Sequence, residues 1–308
     1  MSAETAIDIS IVIVTFNNAH EISDCLNALF ADLPGRRCQL IIVDNCSQDA
    51  TGEIIRAKAD DLLKQCLDFS FIENTFNCGF THALNQGLKK VTGETVLILN
   101  PDTQIQPGCT KILSDLFAEN DRVGVAAPQL LNSDGSIQPS CRRFPRRRDV
   151  FIEMTCLPRL FKTSKRLNYW KMGDFDHRTA RVVEQPQGAF LLTRRDVLNK
   201  VGLWDERFPM FFSDVDWCKR VALHGYQIYF EPKAKVVHKQ GISILQRRQS
   251  MIWSSHLSFY RYFQKYGRQK NVPGLNEMLR ICLLVTAIIR ILWYSSFGRF
   301  KSQRKERR

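Results

Sequence analysis

The sequence lacks any pair of cysteines spaced as Cys-x-x-Cys, although 10 of its 308 residues are cysteine. Structural zinc modules are built on such closely spaced thiolates, so the spacing argues against one. Several of the cysteines instead fall within apolar periodic stretches, where a reduced thiol packs as a small hydrophobic side chain. We therefore expect free thiols, as in the cytosol.

Two kinds of apolar segment are also missing. The first ten residues, MSAETAIDIS, contain no basic stretch followed by an apolar one, so we expect no secretory signal and a cytoplasmic protein. The apolar stretch at residues 278–297 is interrupted by Arg280 and Arg290, and residues 299–308 add six basic side chains and one acidic one. This combination favours a helix that lies on the cytoplasmic face of the membrane over one that crosses it.

What the sequence does have is a high apolar content and an excess of positive charge. Hydrophobic residues make up 44% of the chain, enough for one large core or two modest ones. Lys and Arg total 44 against 31 Asp and Glu, and the formal net charge of +13 favours anionic partners. No motif of a nucleic-acid-binding fold is present, so we expect phosphates or anionic lipid rather than nucleic acid.

Apolar, β-branched runs alternate with helical patterns in the first 100 residues. Four runs have the continuous apolar character of strands covered on both faces: residues 9–15, 39–45, 69–73 and 94–99. This alternation predicts an α/β fold with a doubly wound, mostly parallel sheet flanked by helices. Ligands bind such sheets beyond the carboxyl ends of the strands, where Asp44 and Asp102 lie.

The second half of the chain is less regular. Residues 142–182 are irregular, basic and aromatic, and we interpret them as an insertion over one edge of the sheet. A strand that passes into a helix is predicted for residues 187–202, and a helix for residues 213–225. Two short strands are predicted at residues 226–230 and 234–238.

Seven motifs occur in a fixed order along the chain: SIVIVTFNN, IIVDNCSQD, NTFNCGFTHALNQG, GETVLILNPD, QGAFLLTRRDVLNKVGLWDERF, FFSDVDWCKRVALHGY and VVHKQGIS. Together they resemble the family 2 glycosyltransferases of the GT-A fold, especially bacterial rhamnosyltransferase-like members that act on lipid-linked or polysaccharide acceptors. The resemblance implies a catalytic domain over residues 1–245, with a nucleotide-binding half at about 7–105 and an acceptor half at about 123–245. Residues 246–308 would form a C-terminal helical, amphipathic and basic extension.

The resemblance implies a nucleotide-sugar site at the first strand ends. Thr15 and Phe16 match positions that line the nucleoside pocket, and Asp44 matches one whose carboxylate contacts the base or ribose. Gly188 would allow the backbone to approach the diphosphate closely. Considered without the family, Asp44 or Ser47 could simply cap the following helix.

The resemblance also implies a divalent metal, Mn²⁺ or Mg²⁺. Asp102 matches the last acidic position of the family's D-x-D-like motif, and His238 matches a metal-ligating histidine. Asn100 stands at the first acidic position, so one carboxylate is missing and the diphosphate oxygens would have to complete the site. From the residues alone, Asn-Pro-Asp is an ordinary turn and His238 a structural residue at a strand end.

The catalytic base of the family matches Asp214, with Asp216 as the second candidate. Inverting transfer needs a carboxylate that takes the proton of the acceptor hydroxyl. Two residues apart on a helix, the two side chains diverge by about 200° and cannot share this role. Ser213 stands where the family usually has glutamate, and an N-cap is its alternative role.

The resemblance further implies that the acceptor meets the segment GLWDERF, where Trp204 would stack on a sugar and Asp205 would hydrogen-bond it, although Trp204 could equally belong to the core. The arginine cluster RRFPRRR, residues 142–148, could hold the pyrophosphate of a lipid-linked acceptor, contact anionic membrane, or be a solvated surface.

These matches imply an inverting, metal-dependent hexosyltransferase. It would move a sugar, with rhamnose the preferred guess, from a nucleoside diphosphate sugar to a hydroxyl acceptor in cell-surface polysaccharide or lipid-linked glycan synthesis. The alternative is a non-catalytic protein that binds nucleotide sugars or other anions, and turnover separates the two. A dinucleotide-dependent oxidoreductase is disfavoured because TFNNAHEI, between the first strand and helix, contains no glycine.

Overall fold

The computed structural model describes residues 7–33, 35, 37–154, 161, 164–239, 248–267, 274 and 277–290. Its strands are β1 (Ile9–Thr15), β2 (Cys38–Asp44), β3 (Asp68–Glu73), β4 (Thr95–Leu99), β5 (Thr103–Ile105), β6 (Val123–Leu131), β7 (Cys141–Arg142), β8 (Arg181–Val183), β9 (Gln185–Pro186), β10 (Phe190–Arg194) and β11 (Gln227–His238). Its helices are α1 (Ile22–Asp32), α2 (Thr51–Ala57), α3 (Ala59–Gln65), α4 (Phe80–Leu88), α5 (Cys109–Glu119), α6 (Arg147–Met154), α7 (Arg195–Val201), α8 (Ser213–Leu223), α9 (Arg248–Tyr266) and α10 (277–290).

A 9-stranded sheet in the order β3-β2-β1-β4-β10-β6-β11-β5, with β8 paired to β11, forms the centre of the fold. Strands β1, β2, β3, β4, β6 and β11 run in one direction, and only β5, β8 and β10 oppose them. Helices cover both faces, so the predicted α/β class with a mostly parallel sheet is confirmed. Strands β7 and β9 form a separate two-stranded sheet.

Strand β1 shows why its sequence is apolar without interruption. Ile11 and Ile13 pack into the core on one face of the sheet, and Val12 packs with Leu84 of α4 on the other. Helix α4 can approach because position 87 is glycine: a Cβ there would lie 2.5 Å from Val12 Cγ1. Both faces of the strand are therefore removed from water, as a parallel sheet requires.

The structure differs from the sequence prediction in two places. The single helix expected near residues 49–66 is divided into α2 and α3, with Lys58 between them. The two strands expected at 226–230 and 234–238 are one strand, β11, with a register shift between Glu231 and Lys235. The polar residues at that shift interrupt the apolar pattern, although the backbone continues through the bulge.

Helices α9 and α10 pack beside α8 through a third apolar cluster. The cluster joins Val215 of α8 to Tyr262 and Phe263 of α9 and to Leu279 and Leu283 of α10. None of the helices in the described ranges has the length and apolar character needed to cross a bilayer. The apolar segment predicted at 278–297 is described only as far as residue 290.

Candidate active site

The strand ends bring the predicted site residues to one edge of the sheet. Thr15 at the end of β1 lies beside Asp44 at the end of β2. His238 at the end of β11 pairs with Thr103, the residue after Asp102. The site residues at this edge are Thr15, Asp44, Asp102, Gly188 and His238, joined by Asp214 at the start of α8. The edge is the one at which parallel sheets bind ligands.

Asp44 is buried and held by three hydrogen bonds. Thr15 Oγ1 donates to Asp44 Oδ1 at 2.8 Å, and Ser47 Oγ donates to the same oxygen at 2.5 Å. The Ser47 backbone N–H donates to Asp44 Oδ2 at 2.9 Å. Helix α2 begins only at Thr51, after Ala50, which has no side-chain cap. Asp44 and Ser47 therefore do not cap this helix, and the helix-cap interpretation is wrong.

The loops that follow β1 and β2 are joined to each other. The Asn17 backbone N–H donates to Ser47 Oγ at 2.9 Å, and the Gln48 N–H donates to Asn17 Oδ1 at 2.7 Å. Asn17 adopts a left-handed φ of 57°, a conformation that asparagine tolerates better than most residues. Phe16, which is half-buried, directly follows β1 and precedes Asn17. Two hydrogen bonds thus join the loops at this edge of the site.

The Asp102 carboxylate faces the ring of His238, with Oδ1 3.4 Å from Nε2. The other ring nitrogen, Nδ1, lies 2.8 Å from Gln138 Oε1. Gln138 Nε2 in turn donates to the His238 backbone oxygen at 3.1 Å, which fixes which end of the amide is the donor. His238 Nδ1 therefore donates to Gln138 Oε1, and Nε2 is the ring nitrogen that faces Asp102.

This pair fits a divalent cation. A carboxylate oxygen and a histidine nitrogen are both common ligands of divalent metals, and Asp102 Oδ1 and His238 Nε2, 3.4 Å apart, are close enough to bind one cation together. The hydrogen bond from Nδ1 is the usual support of a metal-ligating histidine. In the described part of the chain no cluster of three or more His, Cys, Asp or Glu side chains is suited to a metal. Asp102 and His238 are the two candidate metal ligands at this sheet edge.

Asp214 lies in the first turn of α8 and is half-buried. Its Oδ2 accepts from the Gly188 N–H at 3.1 Å and from Gln185 Nε2 at 3.2 Å, and its Oδ1 accepts from the Val215 N–H at 2.8 Å. A Cβ at position 188 would lie 3.2 Å from Asp214 Cβ, so glycine permits this approach. Burial raises the pKa of Asp214, which makes its carboxylate a better proton acceptor.

Asp216 has a different environment, since it is fully buried and both of its oxygens are used. Arg220 Nε donates to Oδ2 at 3.0 Å, while Lys265 Nζ and Tyr266 Oη donate to Oδ1 at 2.6 and 2.8 Å. These contacts join α8 to α9. Asp214 is therefore the carboxylate of the two that a substrate can reach. Ser213 donates to the Met210 oxygen and does not cap α8.

Asp205 belongs to the same charge network. Its Oδ2 accepts from Lys265 Nζ at 2.7 Å and from Arg207 at 2.6 Å. Burial would raise the pKa of Asp205, but these hydrogen bonds outweigh it and hold that pKa well below its usual range. Asp205 is thus a negatively charged residue of the loop before α8, and its ion pair with Lys265 joins this loop to α9.

Trp204 is 2% exposed and stacks on Trp217 with ring centroids 5.8 Å apart. Its backbone N–H and carbonyl both bond to the Asn85 side chain, at 3.0 and 2.8 Å. The packing matches the core interpretation of this residue. Its ring Nε1 is nevertheless buried without a hydrogen-bond partner among the described residues.

Sequence reasoning missed two glutamines, Gln138 and Gln185. Gln138 orients His238, and Gln185 donates to Asp214. Both are isolated polar residues in stretches without regular periodicity, and each acts on a residue that is distant in sequence. For Gln185 the sequence does offer one signal, because this polar residue stands directly before the predicted motif in QPQGAF.

Known proteins match both the sequence and the fold. The profile of the family described as "Glycosyl transferase family 2" matches residues 10–201. An N-acetylglucosaminyl-diphospho-decaprenol L-rhamnosyltransferase of Mycobacterium tuberculosis is 26% identical over 239 residues, which are 73% of this chain and 74% of that protein. A poly-beta-1,6-N-acetyl-D-glucosamine synthase of Staphylococcus epidermidis is 26% identical over 298 residues, which are 94% of this chain but only 64% of that protein.

Among solved structures, the mannosyltransferase PcManGT of Pyrobaculum calidifontis, in complex with GDP-Man and Mn²⁺, has a TM-score of 0.57 and 18% identity. The match covers 96% of this chain and 79% of that chain. At this identity the likeness shows the fold alone, and it agrees with the GT-A type predicted from the sequence. Because the family profile covers most of the chain, the protein belongs to glycosyltransferase family 2.

Proposed function

We propose that the protein is an inverting, metal-dependent glycosyltransferase that moves a sugar from a nucleoside diphosphate to an acceptor hydroxyl. The observation that carries this proposal is the meeting of two groups at one sheet edge, the accessible carboxylate of Asp214 and the facing pair of Asp102 and His238. Residues Thr15, Phe16 and Asp44 border the same edge and support a nucleoside pocket there.

The carboxylate of Asp214 would serve as the general base that activates the acceptor. It would accept the proton of the acceptor hydroxyl while that oxygen bonds to the anomeric carbon and the bond from this carbon to the diphosphate breaks. The Gly188 and Gln185 hydrogen bonds hold the carboxylate in place during this step. Asp102 and His238 would hold the metal, which when bound offsets the charge of the departing diphosphate.

For the substrates, the similarity to the Mycobacterium tuberculosis relative supports rhamnose as the donor sugar and a lipid-linked glycan as the acceptor. The synthase from Staphylococcus epidermidis supports the broader class of polysaccharide acceptors. A thymidine diphosphate is our first choice for the nucleotide.

We further propose that α10 lies on a membrane surface. Six large apolar side chains of this helix are 38% to 60% exposed: Met278, Ile281, Leu284, Val285, Ile288 and Ile289. Arg280 and Arg290 are exposed on the same helix, and the chain carries a net charge of +13. Apolar side chains flanked by positive charge suit the headgroup region of an anionic bilayer.

Vesicle sedimentation tests this placement. The protein should sediment with phosphatidylglycerol vesicles and less with phosphatidylcholine vesicles, and the double variant I281E/I288E should lose the difference. L223E is the matched control, since Leu223 is an exposed apolar residue on α8. If I281E/I288E sediments as well as the unaltered chain, α10 does not face the bilayer.

A screen of nucleotide sugars tests the catalytic proposal. A ligand present at 100 times its Kd stabilises a protein by about 2.7 kcal/mol, so the true donor should raise the unfolding temperature, and only with Mn²⁺ or Mg²⁺ present. Donor hydrolysis or transfer must accompany that binding. Binding without turnover, across glycan and lipid acceptors, would instead identify the protein as a nucleotide-sugar-binding protein.

A further inference from the structure

Phe212, two residues before Asp214, has a left-handed backbone. Its φ is 68° and its ψ is 2°, and its carbonyl oxygen accepts a hydrogen bond of the first turn of α8, from the Asp216 N–H at 2.9 Å. Glycine and asparagine adopt this conformation readily, whereas a bulky residue in it is an outlier. For such a residue the left-handed region is disfavoured by about 5- to 30-fold. Strain of this kind persists only where the surroundings enforce it, and it concentrates at functional sites.

Three aromatic rings pack on the side chain of Phe212, which is 7% exposed. The rings of Phe259 and Tyr262, both on α9, have their centroids 4.4 and 5.5 Å from that of Phe212. Trp170 stacks on it at 6.4 Å. Burial of a phenylalanine ring contributes a free energy at least as large as the cost of a left-handed backbone. These contacts can therefore enforce the conformation, and two of the three come from α9.

The loop that leads to Phe212 is held separately, by the start of α4. The Thr81 N–H donates to the Pro209 carbonyl oxygen at 3.1 Å, and Thr81 Oγ1 donates to the Phe208 carbonyl oxygen. Because this loop is held, the φ of Phe212 decides the direction in which α8 leaves it. A change from 68° to the usual helical value of about −63° would rotate the chain by about 130° at this point.

We propose that Phe212 is a positioning residue, whose left-handed backbone, enforced by the rings of α9, places Asp214 at the sheet edge. This inference rests on the proposed function, in which Asp214 is the base. The hydrogen bond from the Gly188 N–H to Asp214 Oδ2, at 3.1 Å, depends on the direction in which α8 starts. Helix α9 lies beyond residues 10–201, which the family profile matches, and yet it contributes to the placement of the carboxylate.

Alanine and glycine at position 212 separate the backbone conformation from the loss of the ring. Both residues lack the ring, but only glycine adopts the left-handed backbone readily. F212A should lower kcat for transfer by up to about 5- to 30-fold, because alanine favours the right-handed region, whereas F212G should keep kcat close to that of the unaltered protein. The donor KM should be unchanged in both, since neither variant alters the nucleotide pocket.

Met172 provides the matched control, because it is also buried and left-handed, with a φ of 51°, but is not adjacent to Asp214. M172A and M172G should change the unfolding temperature and leave kcat unaltered. The part played by α9 is tested by F259A, which should lower kcat when residue 212 is Phe and have no further effect in F212G. Equal effects of F259A in the two backgrounds would contradict the role of α9.

Hydrogen exchange of the Gly188 amide, followed by NMR, reports the placement of Asp214 without turnover. Exchange should be faster in F212A, by up to the factor seen in D214A, and unchanged in F212G. The dispersion of the same spectra shows that each variant is folded. The proposal is overturned if F212A matches the unaltered protein in both exchange and kcat, or if F212G loses as much kcat as F212A. If the unaltered protein transfers no sugar while exchange follows the expected order, the proposed function is refuted and the placement of the carboxylate by Phe212 is retained.

Discussion

Gln138 holds His238 at two points, with its amide oxygen on ring Nδ1 and its amide nitrogen on the backbone carbonyl. The two residues are 100 positions apart in the chain. Gln138 Nε2 also donates to Asn132 Oδ1 at 3.0 Å, so the glutamine itself is fixed. The orientation of the His238 ring is thus set by a residue that is not itself one of the proposed metal ligands.

Replacing Gln138 with Leu should weaken metal binding about 10- to 100-fold, the usual effect of losing the support of a histidine ligand. Titration of Mn²⁺ in the presence of UDP or dTDP, followed by electron paramagnetic resonance, measures this. Q129L is the matched control, because Gln129 is also a buried glutamine but bonds to the His177 carbonyl oxygen. Unchanged Mn²⁺ affinity in Q138L would show that His238 needs no such support.

The scarcity of protein ligands predicts that metal and nucleotide bind together. In the proposed site Asp102 and His238 would provide two ligands, and the diphosphate oxygens and water would have to provide the rest. The affinity for Mn²⁺ should therefore rise at least about tenfold when nucleotide is present, and by linkage the nucleotide affinity should rise by the same factor. D102N should remove most of this coupling. Equal metal affinity with and without nucleotide would contradict a shared site.

Replacing Asp214 with Asn should reduce transfer by about 10²- to 10⁴-fold, because the amide cannot take the proton of the acceptor hydroxyl. Binding of the donor with metal should be retained, since Asp214 is not one of the proposed ligands. Single-turnover assays with saturating donor measure the first effect, and calorimetry the second. Undiminished turnover in D214N would place the base elsewhere.

Asp216 should matter for stability. In D216N the charges of Arg220 and Lys265 lose their buried anion, and we expect about 3 kcal/mol less free energy of unfolding, near the lower end for a broken buried pair because both cations are partly exposed. Denaturant unfolding measures the difference. A variant of normal stability but no transfer would give Asp216 the catalytic role that we assign to Asp214.

The pH dependence of the transfer rate should report the protonation of the Asp214 carboxylate. Burial raises the pKa of Asp214, and its protonated form cannot accept a proton, so the rate should fall as pH drops through this raised value. The charge of Arg142 opposes that rise, so R142M should move the acid limb to higher pH. Rates of R142M and R148M across pH, with donor and acceptor saturating, check the shift. Movement towards lower pH would reverse the sign that we assign to Arg142.

The sequence predicted the sheet well because its signals are local. Continuous apolar runs such as residues 9–15 identify buried strands. Asp44 and Asp102 were identified as candidate site residues because they lie where two of these runs end. The division of α2 from α3 and the continuity of β11 through its bulge depend on packing and pairing with distant segments, which no local pattern records.

The polar surroundings of the site could not be predicted in the same way. Asp214 and Asp216 are two residues apart and look equivalent in sequence, but α9 supplies Lys265 and Tyr266 to one of them only. Five arginines in one short stretch likewise look alike until their partners are known. For Asp216, Arg143 and Arg147 the distinguishing contact comes from a residue far along the chain, whereas Arg146 pairs with the nearby Asp149.

Lys265 makes ion pairs with both Asp205 and Asp216, and so clamps α9 to α8 and to the loop that precedes it. Asp214 is two residues before Asp216 on the same rigid helix. α9 is therefore anchored to the helix that carries Asp214, and we expect a displacement of α9 to move this carboxylate as well. If α10 rests on a bilayer as proposed, its position on that surface would influence where Asp214 lies relative to the proposed diphosphate site.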